Sequence, residues 1–188
     1  MKIIFLDIDG VLNTWDYRRR LELEYFSNLI DRDKMIHLKK IVDLTGAKIV
    51  LSSSWRKYWN KSGEQIDSAG RNLQEVFREF DLQIYDKTPV VENSPRGEEI
   101  WDWLKGRYSV EEYVILDDRD CGWSHDLRMH FVQTDDAGDG LTDELADAAI
   151  RVLNGCLLSV NESPTLEASP IKRKTLKQYL QRFFRDIV

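Results

Sequence analysis

Basic charge is in short supply in this chain: 27 Lys and Arg stand against 33 Asp and Glu, a net charge of −6. That balance excludes a global basic field that would hold duplex nucleic acid non-specifically, though it leaves room for a local basic patch. Cysteine is scarcer still. Cys121 and Cys156 show no metal or redox spacing and cannot staple a domain of this size, which points to a reducing compartment. Long apolar runs are missing too, with nothing approaching the ~18 residues needed to span a bilayer. The apolar start, Ile3-Ile4-Phe5-Leu6, is broken by Asp7 and is too short for a signal-peptide core. A soluble, cytoplasmic protein is expected, with no membrane contact and nothing that calls for an obligate protein partner.

What is present suits one folded core. The 188 residues fit a single domain, and 42% hydrophobic content is enough to bury one. Short apolar runs rich in Ile, Val and Phe recur at Ile3 to Ile8, Lys48 to Leu51, Tyr113 to Leu116 and, more weakly, His130 to Val132. Such runs suit strands buried on both faces of a parallel sheet. Helical patterns lie between them. Asp33 is placed to cap a helix with Ile36, Leu38, Ile41, Val42 and Leu44 on one stripe, ended by Gly46. A second helix is predicted over Asn72 to Phe80, a third from a Ser94 cap with Pro95 in its first position, and a fourth over Thr142 to Leu153. The alternation predicts an α/β, doubly wound (Rossmann-like) parallel sheet with helices on both faces, whose site lies at the carboxyl ends of the strands.

Polar residues begin where the three strong strands end. After the first strand come Asp7 and Asp9, two carboxylates that would repel unless a cation neutralised them. Magnesium (Mg2+), which prefers oxygen ligands, answers that need. The same Asp9-Gly10 dipeptide between apolar residues is also a hairpin signal, a reading that leaves Asp7 without a partner. After the second strand come Ser52, Ser53 and Ser54, suited to cradling phosphate oxygens or simply to capping a helix. Arg96 opens the third helix, where the helix dipole disfavours a cation, so it is either a solvated surface residue or a partner for a carboxylate and a phosphate. Asp117 and Asp118 end the later strand and could complete a metal site, or lie in a solvated loop.

Taken in order, Asp7-Ile8-Asp9-Gly10-Val11-Leu12, the strand ending in Ser52, the basic Arg96 at a helix start and the Asp117-Asp118 pair resemble the four motifs of the haloacid dehalogenase-like (HAD) phosphatases, over residues 1 to about 155. The strings Ser52-Ser53-Ser54-Trp55-Arg56 and Arg96-Gly97-Glu98-Glu99-Ile100 are similar to those of the HAD-type domain associated with RNA repair proteins. The resemblance implies a magnesium-dependent phosphatase that cleaves a phosphomonoester through an aspartyl-phosphate. In it, Asp7 would be the nucleophile and Asp9 the general acid and base, with the Asp9 backbone carbonyl also touching the metal. Ser52 and the Ser53 amide would bind phosphoryl oxygens together with Arg96, which stands where the family usually has lysine. Asp118, supported by Asp117, would complete the metal shell with Asp7. The family often has a further acid a few residues after the metal-binding aspartate; here Cys121 and Gly122 intervene, with Asp120 and Asp126 at other offsets.

Two other readings use the same residue types: a receiver-like module, and a catalytically degenerate HAD domain acting as a regulator or scaffold. Receivers place an acidic pair first and the phosphorylated Asp on a later strand, the reverse of the order here. About 40 residues separate Asp9 from Ser52, and about 40 separate Ser54 from Arg96. Both stretches are partly used by predicted helices and, in the second, a strand, so a capless or minimally capped site is expected. A capless site resembles those of family members that act on exposed phosphates of macromolecules, and the expected partner is a phosphorylated substrate, either a small molecule or a nucleic-acid end. The loop from Thr14 to Phe26, with Trp15, Tyr17 and Arg18-Arg19-Arg20, could line the entrance, offering stacking and phosphate contacts, or form a mobile flap.

Residues 1–155 are thus read as the catalytic domain and 156–170 as a linker rich in Ser, Pro, Glu and Asn. Residues 171–188 are read as a basic amphipathic helix. This last segment has six cationic residues against Asp186 alone, so it carries +5 and the remainder −11 of the total −6. It either docks on its own domain or recruits nucleic acid.

Overall fold

The computed structural model describes residues 1–20, 30–62 and 68–158. The C-terminal helix expected over 171–188, the linker from residue 159 onward and residues 21–29 of the entrance segment lie outside the described residues.

Five parallel strands form one sheet in the order β3-β2-β1-β4-β5: β1 (Lys2–Leu6), β2 (Lys48–Leu51), β3 (Ile84–Lys87), β4 (Glu112–Asp117) and β5 (Phe131–Gln133). Parallel neighbours need crossovers, and helices supply them. These are α1 (Trp15–Arg20), α2 (Arg32–Thr45), α3 (Ser68–Glu79), α4 (Arg96–Leu104), α5 (His125–Arg128) and α6 (Asp143–Leu153), with a 3-10 helix at Ser54–Tyr58. The Rossmann-like α/β sheet expected from the strand and helix pattern is the one observed. Among the described residues no helix is long and apolar enough to cross a membrane.

Alternation along the strands builds two cores. Ile4, Leu6, Ile49, Leu51, Val114 and Leu116 pack with α2, α3 and α6, whereas Ile3, Phe5, Val50 and Ile115 pack with Ile100 and Trp103 of α4 and with Leu127 of α5. Both faces are covered, which is why β1 reads as a continuous apolar run rather than an alternating one.

Helix boundaries differ from expectation in ways the side chains explain. Asp31, not Asp33, caps α2, because its Oδ1 accepts from the Asp33 N–H at 3.0 Å. Met35 joins Leu38 and Ile41 on the buried stripe, while Leu44 is exposed. Gly46 ends the helix as expected, at φ +67° with its N–H on the Val42 carbonyl. Pro95 itself occupies the cap position of α4, and the Ser94 hydroxyl turns to Glu98 instead of the backbone. Thr142, expected as the first residue of the fourth helix, is instead the cap of α6, and Leu73, Val76, Phe77 and Phe80, which share one face of the second expected helix, are buried together. Helix α1 and the short α5 carry too few periodic apolar residues to be read from sequence. Beyond α6 the chain still packs on the domain, with the Leu158 N–H on the Met129 carbonyl at 3.0 Å, so residues 156–158 of the expected linker are held.

Chain order fixes where a site can form. The path runs outward from β1 to β2 and β3, then returns to the other side of β1 for β4 and β5. The order reverses between β1 and β4, and a crevice opens outside the carboxyl ends of strands at such a switch point.

Candidate active site

Register brings the predicted residues together. Leu6 is paired with Leu51 on one side and Leu116 on the other, so the residues that follow, Asp7, Ser52 and Asp117, stand side by side at the carboxyl edge of the sheet. The ladder continues into them: the Asp7 N–H donates to the Leu116 carbonyl at 2.9 Å, and the Ser52 N–H donates to the Leu6 carbonyl at 2.9 Å. All three are buried.

Asp7 is held at both oxygens. Its Oδ1 accepts from the Ile8 N–H at 2.8 Å, and its Oδ2 accepts from Arg96 Nη1 at 2.5 Å. The same Arg96 nitrogen donates to Asp117 Oδ2, and Asp117 Oδ1 accepts from the Arg119 N–H at 3.0 Å. Arg96 is therefore a bridge between two buried carboxylates, which explains a cation in the first turn of a helix against the dipole. Burial alone would lower the Arg96 pKa, yet Asp7 and Asp117 more than compensate and raise it further.

Carboxylates crowd this end of the sheet. Asp7, Asp117 and Asp118 each offer an oxygen, and these atoms lie within 4.8 Å of one another. Burial pushes the Asp117 carboxyl up to about 6, with the Asp7 charge adding to the rise and Arg96 opposing it. The Asp118 carboxyl is also raised, by burial first and by Asp7 second. One guanidinium does not satisfy three crowded acids. The donor set is all oxygen and partly buried, the kind a hard divalent cation prefers over nitrogen or sulfur sites. Ser52 Oγ is buried and lacks a hydrogen-bond partner among the described residues. A buried hydroxyl without a partner is costly unless a ligand or water supplies one.

The turn after β1 is not a hairpin. Gly10 has φ +74°, its N–H donates to the Asn13 carbonyl at 2.7 Å, and Leu12 N–H returns to the Ile8 carbonyl at 2.9 Å. A Cβ at Gly10 would stand 2.5 Å from both Cβ and Cγ of Asp118. Glycine is thus required twice, by the left-handed backbone and by the seat of Asp118. Thr134, just past β5, donates its hydroxyl to the Gly10 carbonyl at 2.8 Å and its N–H to the Asp117 carbonyl at 2.9 Å, tying the first and last acidic turns together.

Asp9 is oriented differently from Asp7, and its carboxylate does not join the three-acid cluster. Its Oδ2 accepts from Trp55 Nε1 and its Oδ1 from Asn13 Nδ2, both at 3.0 Å, with Arg18 Nη1 at 3.6 Å. Ser53 caps the 3-10 helix, accepting from the Trp55 N–H at 3.2 Å, so its hydroxyl serves the backbone. Asp120 turns outward to Arg128 at 2.8 Å, and Asp126 is exposed beside His125.

Several residues around this site were not singled out from sequence. Trp55, Arg56 and Glu99 lie within the two strings noted above, and only their contacts reveal what each does. Arg56 Nη1 and Nη2 donate to Glu99 Oε2 and Oε1 at 2.6 and 2.8 Å, closing a pair between the Ser turn and α4. Thr134, Asn13 and Asp136, the last accepting from Arg18 Nη2 at 3.0 Å, carry no local signal, because their partners are distant in sequence or their residue types are common in loops.

No curated protein and no solved structure matches the chain significantly. The family model described as the HAD domain in Swiss Army Knife RNA repair proteins matches residues 3–146, which span every element from β1 into α6. The strand order, the acidic switch point and that match agree, and the chain belongs to this family of HAD domains.

Proposed function

We propose that the protein is a magnesium-dependent phosphatase that hydrolyses a phosphomonoester through an aspartyl-phosphate on Asp7, and that its substrate is a phosphorylated nucleic-acid end. The observation that carries this reading is the buried Asp7 carboxylate fixed by Arg96 within 4.8 Å of Asp117 and Asp118. A nucleophile so held needs little reorganisation before attack.

An Asp7 oxygen attacks phosphorus as the bond to the leaving oxygen breaks, and Asp9 gives that oxygen a proton. Water then attacks the aspartyl-phosphate, Asp9 takes the water's proton, and inorganic phosphate leaves with Asp7 restored. Trp55 and Asn13 hold the Asp9 carboxylate for both transfers. Ser52 Oγ supplies a hydroxyl to the phosphoryl group, and Arg96 supplies positive charge to its oxygens. Asp7, Asp117 and Asp118, with the Asp9 carbonyl, would hold magnesium, whose charge when bound offsets the repulsion between carboxylate and phosphate.

Three observations support a macromolecular substrate. Among the described residues, only α1, α2 and β2 stand between Asp9 and Ser52, and only the 3-10 helix, α3 and β3 between Ser53 and Arg96, so no inserted cap is seen over the site. Trp15 on α1 is 59% exposed, and Arg18 of the same helix reaches toward Asp9, a stacking face and a cation at the mouth. The matched family's own description places such domains in RNA repair proteins.

The test is hydrolysis of an aryl phosphate, nucleotides, sugar phosphates and oligonucleotides phosphorylated at either end, with magnesium or with chelator and with Asp7→Asn as control. Turnover that survives complete chelation overturns the mechanism. Preference for a sugar phosphate over every oligonucleotide overturns the substrate class. A folded protein that binds metal but turns over none of these would be the scaffold instead.

A further inference from the structure

The turn that follows β2 and the helix that carries Arg96 are joined by a nearly water-free ion pair. The Glu99 side chain is 7% exposed and that of Arg56 14%, and the guanidinium meets the carboxylate through two nitrogens, at 2.6 and 2.8 Å. Further bonds lock the pair in place. Arg56 Nη1 donates to Thr88 Oγ1 at 2.7 Å, and the Val91 N–H donates to Glu99 Oε1 at 3.3 Å. Lys87 Nζ donates to the carbonyls of Arg56 and Trp59 at 2.9 and 2.7 Å, fastening the 3-10 helix to the end of β3.

Position along the chain gives the pair its meaning. Arg56 follows Ser52 by four residues, and Glu99 follows Arg96 by three, which on a helix is the neighbouring position of the same face. The pair therefore spans the two elements that carry Ser52 and Arg96. Thr88 and Val91 bring the loop after β3 into the same junction, so three chain segments at this end of the sheet are set against one another.

Stability alone is a weak reason to bury such a pair. Desolvating two ions offsets most of their attraction, and a well-packed apolar pair of similar size is often equally stable. What the fork of an arginine on a carboxylate adds is direction, since two parallel bonds fix both a distance and an angle. We infer that Arg56 and Glu99 are positioning residues that set the spacing of Ser52 and Arg96 to the width of a phosphoryl group. The inference rests on the reading of those two residues as phosphate ligands.

The test measures binding of inorganic phosphate by calorimetry in the presence of magnesium, alongside magnesium binding, thermal unfolding, and kcat and KM on an aryl phosphate. In Arg56→Met/Glu99→Leu the charges vanish while bulk is kept. That variant is expected to melt near the wild-type temperature and to bind magnesium as before, yet to bind phosphate about tenfold more weakly or worse, with KM rising in step. Arg56→Lys keeps the charge and loses the fork, so an intermediate loss of phosphate affinity is expected.

A folded double variant with wild-type phosphate affinity overturns the inference. So does a parallel fall in phosphate and magnesium affinity, which would mark general damage. Should the double variant fail to fold, Arg56→Lys decides: undiminished phosphate affinity in that protein also overturns it. Wild-type protein that binds phosphate but hydrolyses nothing removes the proposed hydrolysis and leaves this inference open to the same binding measurements. Wild-type protein that binds no phosphate removes both.

Discussion

Asp7 and Asp9 are two residues apart and live in different surroundings. Asp7 is 4% exposed, takes part in the backbone ladder and is fastened to a guanidinium shared with Asp117. The Asp9 side chain is 40% exposed and is held by neutral donors, an indole and an amide, with Arg18 at the edge of reach. A strand end supplies the first environment and a glycine turn the second. The difference teaches how one short motif can serve the two roles proposed for it: a carboxylate fixed at both oxygens where a strand ends is set for attack with little reorganisation, whereas one nearer solvent is placed to meet a leaving oxygen and a water.

The largest expected effect comes from erasing the Asp7 side of that contrast. Asp7→Asn should lower turnover at least about a thousandfold, since an amide does not attack phosphorus and residues acting as a unit fail together. The check is steady-state hydrolysis of an aryl phosphate. A variant retaining a tenth of the wild-type rate would assign the nucleophile elsewhere.

Gly10→Ala strikes the turn that follows the two acids. The new methyl meets Asp118 at 2.5 Å and the backbone must keep φ +74°, so a loss of about 1–3 kcal/mol is expected in denaturant unfolding. Magnesium affinity should fall with it, because the displaced side chain is part of the acidic cluster. Unchanged metal affinity would separate Asp118 from the metal site.

Trp55→Phe probes the Asp9 side by removing one N–H while keeping an aromatic ring in the core. Hydrolysis of an alkyl phosphate, whose leaving oxygen needs a proton, should slow by about tenfold, and that of a nitrophenyl ester by much less. Equal losses on the two substrates would mean that the indole does not orient the acid.

A pH series sharpens the comparison through Asp117. Its folded carboxyl titrates near 6, above the ordinary carboxylate range, because burial and Asp7 disfavour its charge. The folded state then binds a proton that the unfolded state has already lost, so without metal this group's contribution to stability is fullest below the unfolded pKa and is lost as pH rises through about 6. Metal binding needs the charged form, so the rise in melting temperature on adding magnesium should grow across the same interval. A magnesium-induced rise that stays flat from pH 5 to 7 would detach Asp117 from the site.

The smallest effect is expected at Asp120. Its carboxylate faces outward to Arg128, and exposed pairs contribute at most about 1 kcal/mol. Asp120→Asn should leave turnover and magnesium affinity within about twofold. A large loss would show that the acid after Asp118 takes part despite its outward position.

Much of this was determined by the sequence alone. Burial on both faces of a parallel sheet leaves a mark any reader can see, an unbroken apolar run, and polar residues after such runs mark the carboxyl ends where ligands bind. Asp7, Ser52 and Asp117 were legible for that reason, as was the stop at Gly46, whose effect acts within a few residues. The tertiary structure decided what depends on distant partners. Only the register of β1 between β2 and β4 brings Asp7, Ser52 and Asp117 side by side, and only the packing of α4 turns Arg96 from a disfavoured helix-start cation into the bridge between Asp7 and Asp117. The Trp55 bond to Asp9, the Arg56–Glu99 pair and the Thr134 tie to Gly10 join residues 43 to 124 positions apart. Hydrogen bonds and ion pairs of that span follow from where the backbone has been carried, not from local propensity, and so they leave no period or motif by which a sequence can announce them.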